Sequence, residues 1–337
     1  MRTFQDDPSA LGPFTRAKVT VGTFDGVHRG HLRVLRQLLS WARATEGDAV
    51  VLTFDRAPRS ILSGRPAGLI LSLAHRLMLF ERLGLDAAVV RKFNSELASL
   101  EPEEFVRDIL VNRLKVSGVL LGHDTRFGRG GRGDYELMRR LGEELHFETC
   151  SVPVVELDGA PISSTRLRQA IRAGDLRLAE RMLGRRVSVL GAVVPGTGRG
   201  RTLGVPTANL DLHHEIHPPQ GVYATRALLG GAWHDAVTNI GRPPALKPGV
   251  PPHLSEKVPD VRANKGASHL RAPIVETHVL DFSGDLYGQT IEVQFIERLR
   301  AEEVFTSPEA LRARIAADIR VARDRLAHAA PLEEFAE

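Results

Sequence analysis

Between residues 17 and 150 the chain alternates short apolar runs with segments of helical period, and after Gly184 that alternation stops. KVTVGTF (18–24), AVVLTF (49–54), DAAVV (86–90) and GVLLGH (118–123) read as strands. HLRVLRQLLSWARA (31–44), SLAHRLMLFERL (72–83) and PEEFVRDILVNRL (102–114) read as helices between them. Strands joined through helices run parallel, so an α/β fold with a helix-covered parallel sheet is expected. Such a sheet binds ligands outside the carboxyl ends of its strands, where TFDG (23–26) and GHDTRFG (122–128) fall. ISSTRLRQAIRAGDLRLAERMLG (162–184) is helical, with Ser163 or Ser164 as N-cap and Gly174 as a break.

After Gly184 the strand-like runs RRVSVLGAVV (185–194), GVYATRALL (221–229), AWHDAVTNI (232–240), IVETHVLDF (274–282) and TIEVQFIERL (290–299) follow with no helix between them. This predicts an antiparallel sheet or small barrel, with Gly230-Gly231 as a two-residue hairpin turn. A terminal helix over 307–327 starts at Ser307 with Pro308 in its first turn. Two domains are expected, 1–184 and 185–337, which a chain of 337 residues accommodates. The Pro-rich, basic stretch 241–273 reads as a long loop.

Composition narrows the function. Net charge is only +4, no basic run exceeds a few residues, and aromatics (5%) are not interleaved with the arginines. Phosphate-bearing small molecules therefore fit better than nucleic acid. The single cysteine, Cys150, rules out an intrachain disulfide and a cysteine zinc site, and reads as a small buried hydrophobe. No apolar stretch is long enough to span a membrane, and the polar, Pro/Gly-broken N-terminus does not read as a signal peptide. A cytoplasmic location is expected; a homo-oligomer is allowed but not indicated.

VGTFDGVHRGH (21–31) leaves a strand, turns at Gly26 and enters a helix near Gly30. His28 and His31 make an incomplete metal site, lacking a placed third ligand. A plain helix-capping loop is another reading. The third is phosphate binding: a helix N-terminus offers free N–H groups, imidazoles can hydrogen-bond phosphate oxygens, and Gly30 permits close approach.

The stretch Gly22-Thr23-Phe24-Asp25-Gly26-x-His28-x-Gly30-His31 resembles the head motif of the nucleotidylyltransferase superfamily. Ile162-Ser163-Ser164-Thr165-Arg166 resembles its second signature, with a further arginine at Arg168. Gly122-x-Asp124-x-Arg126-Phe127-Gly128 is similar to the flavin branch of that superfamily. Gly196-Thr197-Gly198-Arg199-Gly200-Arg201-Thr202-Leu203-Gly204-Val205-Pro206-Thr207-Ala208-Asn209, Asn239-Ile240-Gly241 and Val275-Glu276-Thr277-His278 are similar to riboflavin kinase signatures. From about 17 to 325 the chain thus resembles the bacterial bifunctional riboflavin kinase/FAD synthetases. The resemblance implies a Rossmann-like nucleotidylyltransferase domain followed by a kinase barrel. Its substrates would be riboflavin, FMN and ATP, with Mg2+ as the metal.

The resemblance assigns ATP to Gly22, Phe24, Gly30, Ser163, Ser164, Thr165 and Arg168, and in the kinase half to Gly196, Gly198 and Gly204. His28, His31 and Arg166 are expected to act in adenylyl transfer. Asp124, Phe127 and Asn239 are assigned to flavin, and Thr207 and Asn209 to magnesium. Adenylyl transfer to FMN uses a phosphate already ionised at neutral pH, so positioning and charge stabilisation carry the rate. The kinase step must deprotonate a hydroxyl, and the resemblance makes Glu276 its general base. Taken alone, PTAN would read as a turn and GRGGRGD (128–134) as a mobile basic loop. Two departures from the family pattern stand out: Ala57 in place of a histidine after the second strand, and Thr125 in place of a phenylalanine. They define an alternative, a riboflavin kinase with weakened adenylyltransferase activity.

Overall fold

The computed structural model describes residues 1–5, 14–56, 68–196, 200, 204–212, 215–241, 274–330 and 335. Ala57, Gly198 and the stretch 242–273 lie outside the described residues. The chain divides into two compact units: Met1–Arg168 with Arg181–Gly184 and Glu334–Glu337, and Gln169–Glu180 with Arg185–Glu333.

In the first unit six strands form one parallel sheet. They are β1 (Arg2–Gln5), β2 (Lys18–Val21), β3 (Ala49–Phe54), β4 (Ala87–Arg91), β5 (Gly118–Gly122) and β6 (Glu148–Val152). Their order is β1-β4-β3-β2-β5-β6, so the order reverses at β2. β2 and β3 are buried along their whole length, as expected of strands covered on both faces. Lys18 opens the buried β2 because its ammonium bonds Glu148 at 2.9 Å and lies 4.3 Å from the Trp41 ring centre. The covering helices are α1 (Arg29–Ala44), α2 (Leu73–Arg82), α3 (Ser95–Ser99), α4 (Pro102–Glu104) and α5 (Tyr135–Leu145).

Several elements differ from the sequence-based expectation. The expected helix over 102–114 has one α-turn and then runs as a π-helix over Phe105–Arg113. The edge strands β1 (RTFQ) and β6 (ETCSV) were not predicted, since strands facing solvent carry no continuous apolar run. Cys150, on β6, is half-buried rather than buried, and its sulfur accepts from Gln37 Nε2 at 3.4 Å. GRGGRGD is a defined turn: Phe127 and Gly133 form a backbone bridge, and Asp134 caps α5 through Leu137 N at 3.1 Å. Beyond β6, a small hairpin pairs β7 (Glu156–Leu157) with β8 (Ala160–Pro161). As expected, by contrast, the helical stretch 162–184 breaks at Gly174 (φ +78°), into α6 (Ser164–Ala173) and α7 (Leu176–Leu183).

The second unit is a closed barrel of six antiparallel strands, in the order β10-β13-β12-β11-β14-β9. These are β9 (Ser188–Val194), β10 (Ala208–Asp211), β11 (Gly221–Leu229), β12 (Ala232–Gly241), β13 (Ile274–Val279) and β14 (Thr290–Arg300). Gly230 (φ +55°) and Gly231 (φ +86°) make the predicted turn between β11 and β12. The barrel holds a buried hydroxyl chain, Thr225 to Thr238 at 2.8 Å and Thr238 to Thr277 at 3.0 Å. α8 (Pro308–His328) begins at the Ser307 cap. Its Ala322 and Leu326 pack against Ala224, and Asp318 receives a forked Arg300 at 2.7–3.0 Å.

Candidate active sites

The first site forms where the sheet order reverses, at the carboxyl end of β2. Phe24 (φ +51°), Gly26 (φ +94°) and Val27 (φ +40°) turn the chain sharply into α1. His28 is the N-cap of α1, and its Nδ1 accepts from His31 N–H at 3.3 Å. The two imidazoles stack with centres 3.6 Å apart, and the Phe24 ring meets His31 edge-on at 5.2 Å. At Gly30 a Cβ would lie 3.1 Å from the His28 ring. This geometry favours a hydrogen-bonding cradle over a metal site, because His28 Nδ1 is directed to an amide. Among the described residues no group of three or more His, Cys, Asp or Glu could hold a metal.

The second signature closes over this turn. Ser163 Oγ accepts from Arg166 N–H at 3.2 Å, making Ser163 the cap of α6. Ser164 Oγ donates to Asp25 O at 2.8 Å, joining the two motifs directly. Gly26 is required here: a Cβ would lie 2.9 Å from Leu167. Thr165 is exposed on the first turn of α6. Arg166 Nη1 donates to Leu157 O and Ala160 O at 3.0 and 3.1 Å, so the β7–β8 hairpin fixes its guanidinium. Arg168 bonds the Asp25 carboxylate at 2.8 Å and Gly68 O at 3.0 Å.

Asp124 is exposed just beyond β5, and Thr125 N–H closes a turn onto Gly122 O at 3.1 Å. The Phe127 ring lies in the core, 5.9 Å from Phe105. Sequence reasoning gave Asp25 no role, and it overlooked Arg76 beneath this site and the hairpin that holds Arg166. Asp158-Gly159, both with positive φ, was the turn signal for that hairpin.

In the barrel, strand register lines up three of the expected residues. Glu276 on β13 pairs with Asn209 on β10 and with Asn239 on β12. Directly opposed residues share a sheet face, so these side chains form one row, on the face opposite the buried Thr238 and Thr277. Of the glycine-rich stretch, Gly196 lies against that row and Gly200 against Thr207. A Cβ at Gly196 would lie 2.5 Å from Asn209 Cγ, and one at Gly200 would lie 3.0 Å from Thr207 Oγ1. Gly204 (φ +79°) turns the loop back, and Val205 N–H bonds Gly200 O at 2.8 Å. His278 Nδ1 contacts Pro206 O at 2.7 Å, tying the loop to β13. PTAN is therefore a tethered loop entering a strand rather than a free turn.

Two family models match, FAD synthetase over residues 13–166 and riboflavin kinase over residues 183–326. The bifunctional riboflavin kinase/FMN adenylyltransferase of Pseudomonas fluorescens is 37% identical, over 90% of this chain and 91% of its own. The chain belongs to the bifunctional riboflavin kinase/FMN adenylyltransferase family. The Escherichia coli K12 member is 35% identical over 91% of both chains, and the Bacillus subtilis member 32% over 90% of both. A solved structure described as a macrolide-efflux protein from Streptococcus pneumoniae matches with a TM-score of 0.75 at 29% identity. It spans 96% of this chain and 99% of that one, so the likeness covers both units. No helix among the described residues is long and apolar enough to cross a membrane. The protein is a bifunctional enzyme that phosphorylates riboflavin to FMN and adenylylates FMN to FAD, using ATP in both steps.

Proposed function

We propose that residues 1–184 carry the adenylyltransferase site and residues 185–337 the kinase site, each with its own ATP. The observation that carries the assignment is the Asn209–Glu276–Asn239 row with Gly196 packed against Asn209. In the first site the FMN phosphate attacks the α-phosphorus of ATP and pyrophosphate leaves. The start of α1, with His28, Gly30 and His31, stabilises the charge that builds on phosphate oxygens. Gly22 and Phe24 shape the turn. Ser163 and Thr165, at the start of α6, offer hydroxyl donors to an anion, while Ser164, whose hydroxyl donates to Asp25 O, fixes the turn beside them. Arg166, with Nη1 spent on the hairpin, keeps Nε and Nη2 for phosphate. Asp124, exposed beyond β5, is placed for the flavin side; Phe127 supports that loop from the core.

In the second site Glu276 accepts the proton of a ribityl hydroxyl as that oxygen takes the γ-phosphoryl group, and ADP leaves. Asn239 orients the flavin beside it. Gly196, Gly198 and Gly204 give the loop room to wrap phosphate. Thr207 and Asn209 supply oxygen donors suited to magnesium completed by phosphates and water, and the missing Cβ atoms of Gly196 and Gly200 leave their side chains the space. Bound there, the ion would neutralise phosphate charge. ATP consumption at both sites fits a cytoplasmic setting.

The test is reciprocal. Glu276→Gln should stop FMN formation while FAD formation from supplied FMN continues, and His31→Ala should do the reverse. Separating the flavins by chromatography reads both, and parallel loss of both activities in either variant refutes the assignment.

A further inference from the structure

Beneath the adenylyltransferase site lies a buried charge whose position exceeds what folding needs. Asp25, only 6% exposed, sits in the turn between β2 and α1. Its Oδ1 accepts from Ile70 N–H at 2.9 Å and Leu71 N–H at 3.0 Å, and its Oδ2 accepts from Arg168 at 2.8 Å. Its backbone oxygen accepts from Ser164. One residue therefore fastens three separate segments: the phosphate cradle, the start of α6, and the chain at 68–71. From the other side the fully buried Arg76 donates to Thr23 O at 2.7 Å, Thr53 Oγ1 at 2.9 Å and Phe54 O at 2.9 Å. It thereby holds the carboxyl ends of β2 and β3 beside the same turn.

A buried ion pair is a poor way to gain stability, because desolvation offsets the attraction. Apolar residues of similar volume would hold a turn as well. What a carboxylate with three directed donors adds is orientation. In a reaction without a strong base the rate depends on placing phosphate-binding groups, and an error of about 1 Å costs on the order of a hundredfold.

The geometry points to Asp25 as a positioning residue for adenylyl transfer, acting through Arg168 to hold α6 and the His28–His31 cradle in one fixed arrangement. The inference rests on the site assignment above. It treats the Asp25–Arg168 pair as one unit, in which breaking either member releases the same constraint.

The variants are Asp25→Asn, Arg168→Met and the double variant, each measured for FAD formation from FMN with ATP varied. Asn keeps an oxygen for the Ile70 and Leu71 amides but turns a donor toward Arg168. Each single variant should lower kcat by about tenfold or more, with the KM for ATP within about threefold of wild type. The double variant should be no slower than the slower single one. FMN formation from riboflavin, at the other site, should stay at the wild-type rate in all three, which shows the kinase unit intact, while the near-wild-type KM for ATP shows that the adenylyltransferase unit is folded. Multiplying losses in the double variant overturn the inference. So does full activity of Asp25→Asn, or a raised KM for ATP at unchanged kcat in Arg168→Met, which would make Arg168 a direct ATP ligand. His31→Ala run in parallel separates the two ideas: if it still makes FAD, the site assignment has failed, not the pairing.

Discussion

Adding one methyl group at Gly196 tests whether the glycine loop exists to make room for Asn209. Gly196 lies outside the positive-φ region, so alanine is compatible with its backbone and only space is at stake. An ideal Cβ there would lie 2.5 Å from Asn209 Cγ, against about 3.4 Å for an ordinary contact. Asn209 Nδ2 lies closer still, so either the amide or the loop must move by about 1 Å or more. Asn209 stands beside Glu276 in the barrel register, so the displacement falls on the proposed magnesium donor next to the proposed base. Misplacement on that scale costs on the order of a hundredfold in rate. Gly196→Ala should therefore lower kcat for FMN formation by tens-fold to a hundredfold and raise the magnesium concentration needed for half-maximal rate. FAD formation from supplied FMN should be unchanged. The assay is initial rate against magnesium, with flavins separated chromatographically. FMN formation within about threefold of wild type, with unaltered magnesium dependence, would refute the reasoning.

Other expectations concern stability. Asp318→Ala leaves the Arg300 guanidinium, 12% exposed, without its forked partner on α8; removing one member of such a pair costs about 3–5 kcal/mol. Kinase activity should then be lost at a lower temperature, and an unchanged inactivation temperature would count against α8 docking through this pair. Burial raises the Asp25 carboxyl above its ordinary value, outweighing the Leu71 amide, Arg168 and Arg76, which lower it. A raised folded-state value means its contribution is fullest below the ordinary carboxylate range and is lost as pH rises through the raised value. Asp25→Asn removes that loss, so its Tm relative to wild type should improve as pH rises above the ordinary carboxylate range. A relative Tm that worsens as pH rises there would contradict the direction.

Much of both sites was legible because their motifs are continuous in sequence. TFDGVHRGH, ISSTR and the glycine run each occupy neighbouring positions, and local backbone geometry decides what they can do. The fold class was legible for the same kind of reason, since buried parallel strands and barrel strands leave different periodicities. The edge strands β1 and β6 were not, because half their surroundings are solvent and their residues follow no apolar pattern. The π-helix over Phe105–Arg113 was not, because α and π winding ask nearly the same residues.

The sequence by itself determined a parallel sheet followed by a barrel. Only the tertiary structure decided which residues meet. Glu276, Asn209 and Asn239 become neighbours through strand register, a property of pairing that no single strand encodes. Asp25 and Arg168, 143 positions apart, become partners because α6 lies across Gly26. VGTFDGVHRGH is thus a strand–turn–helix by its local sequence, but its fixed shape comes from α6 and Arg76, which reach it only once the sheet is built.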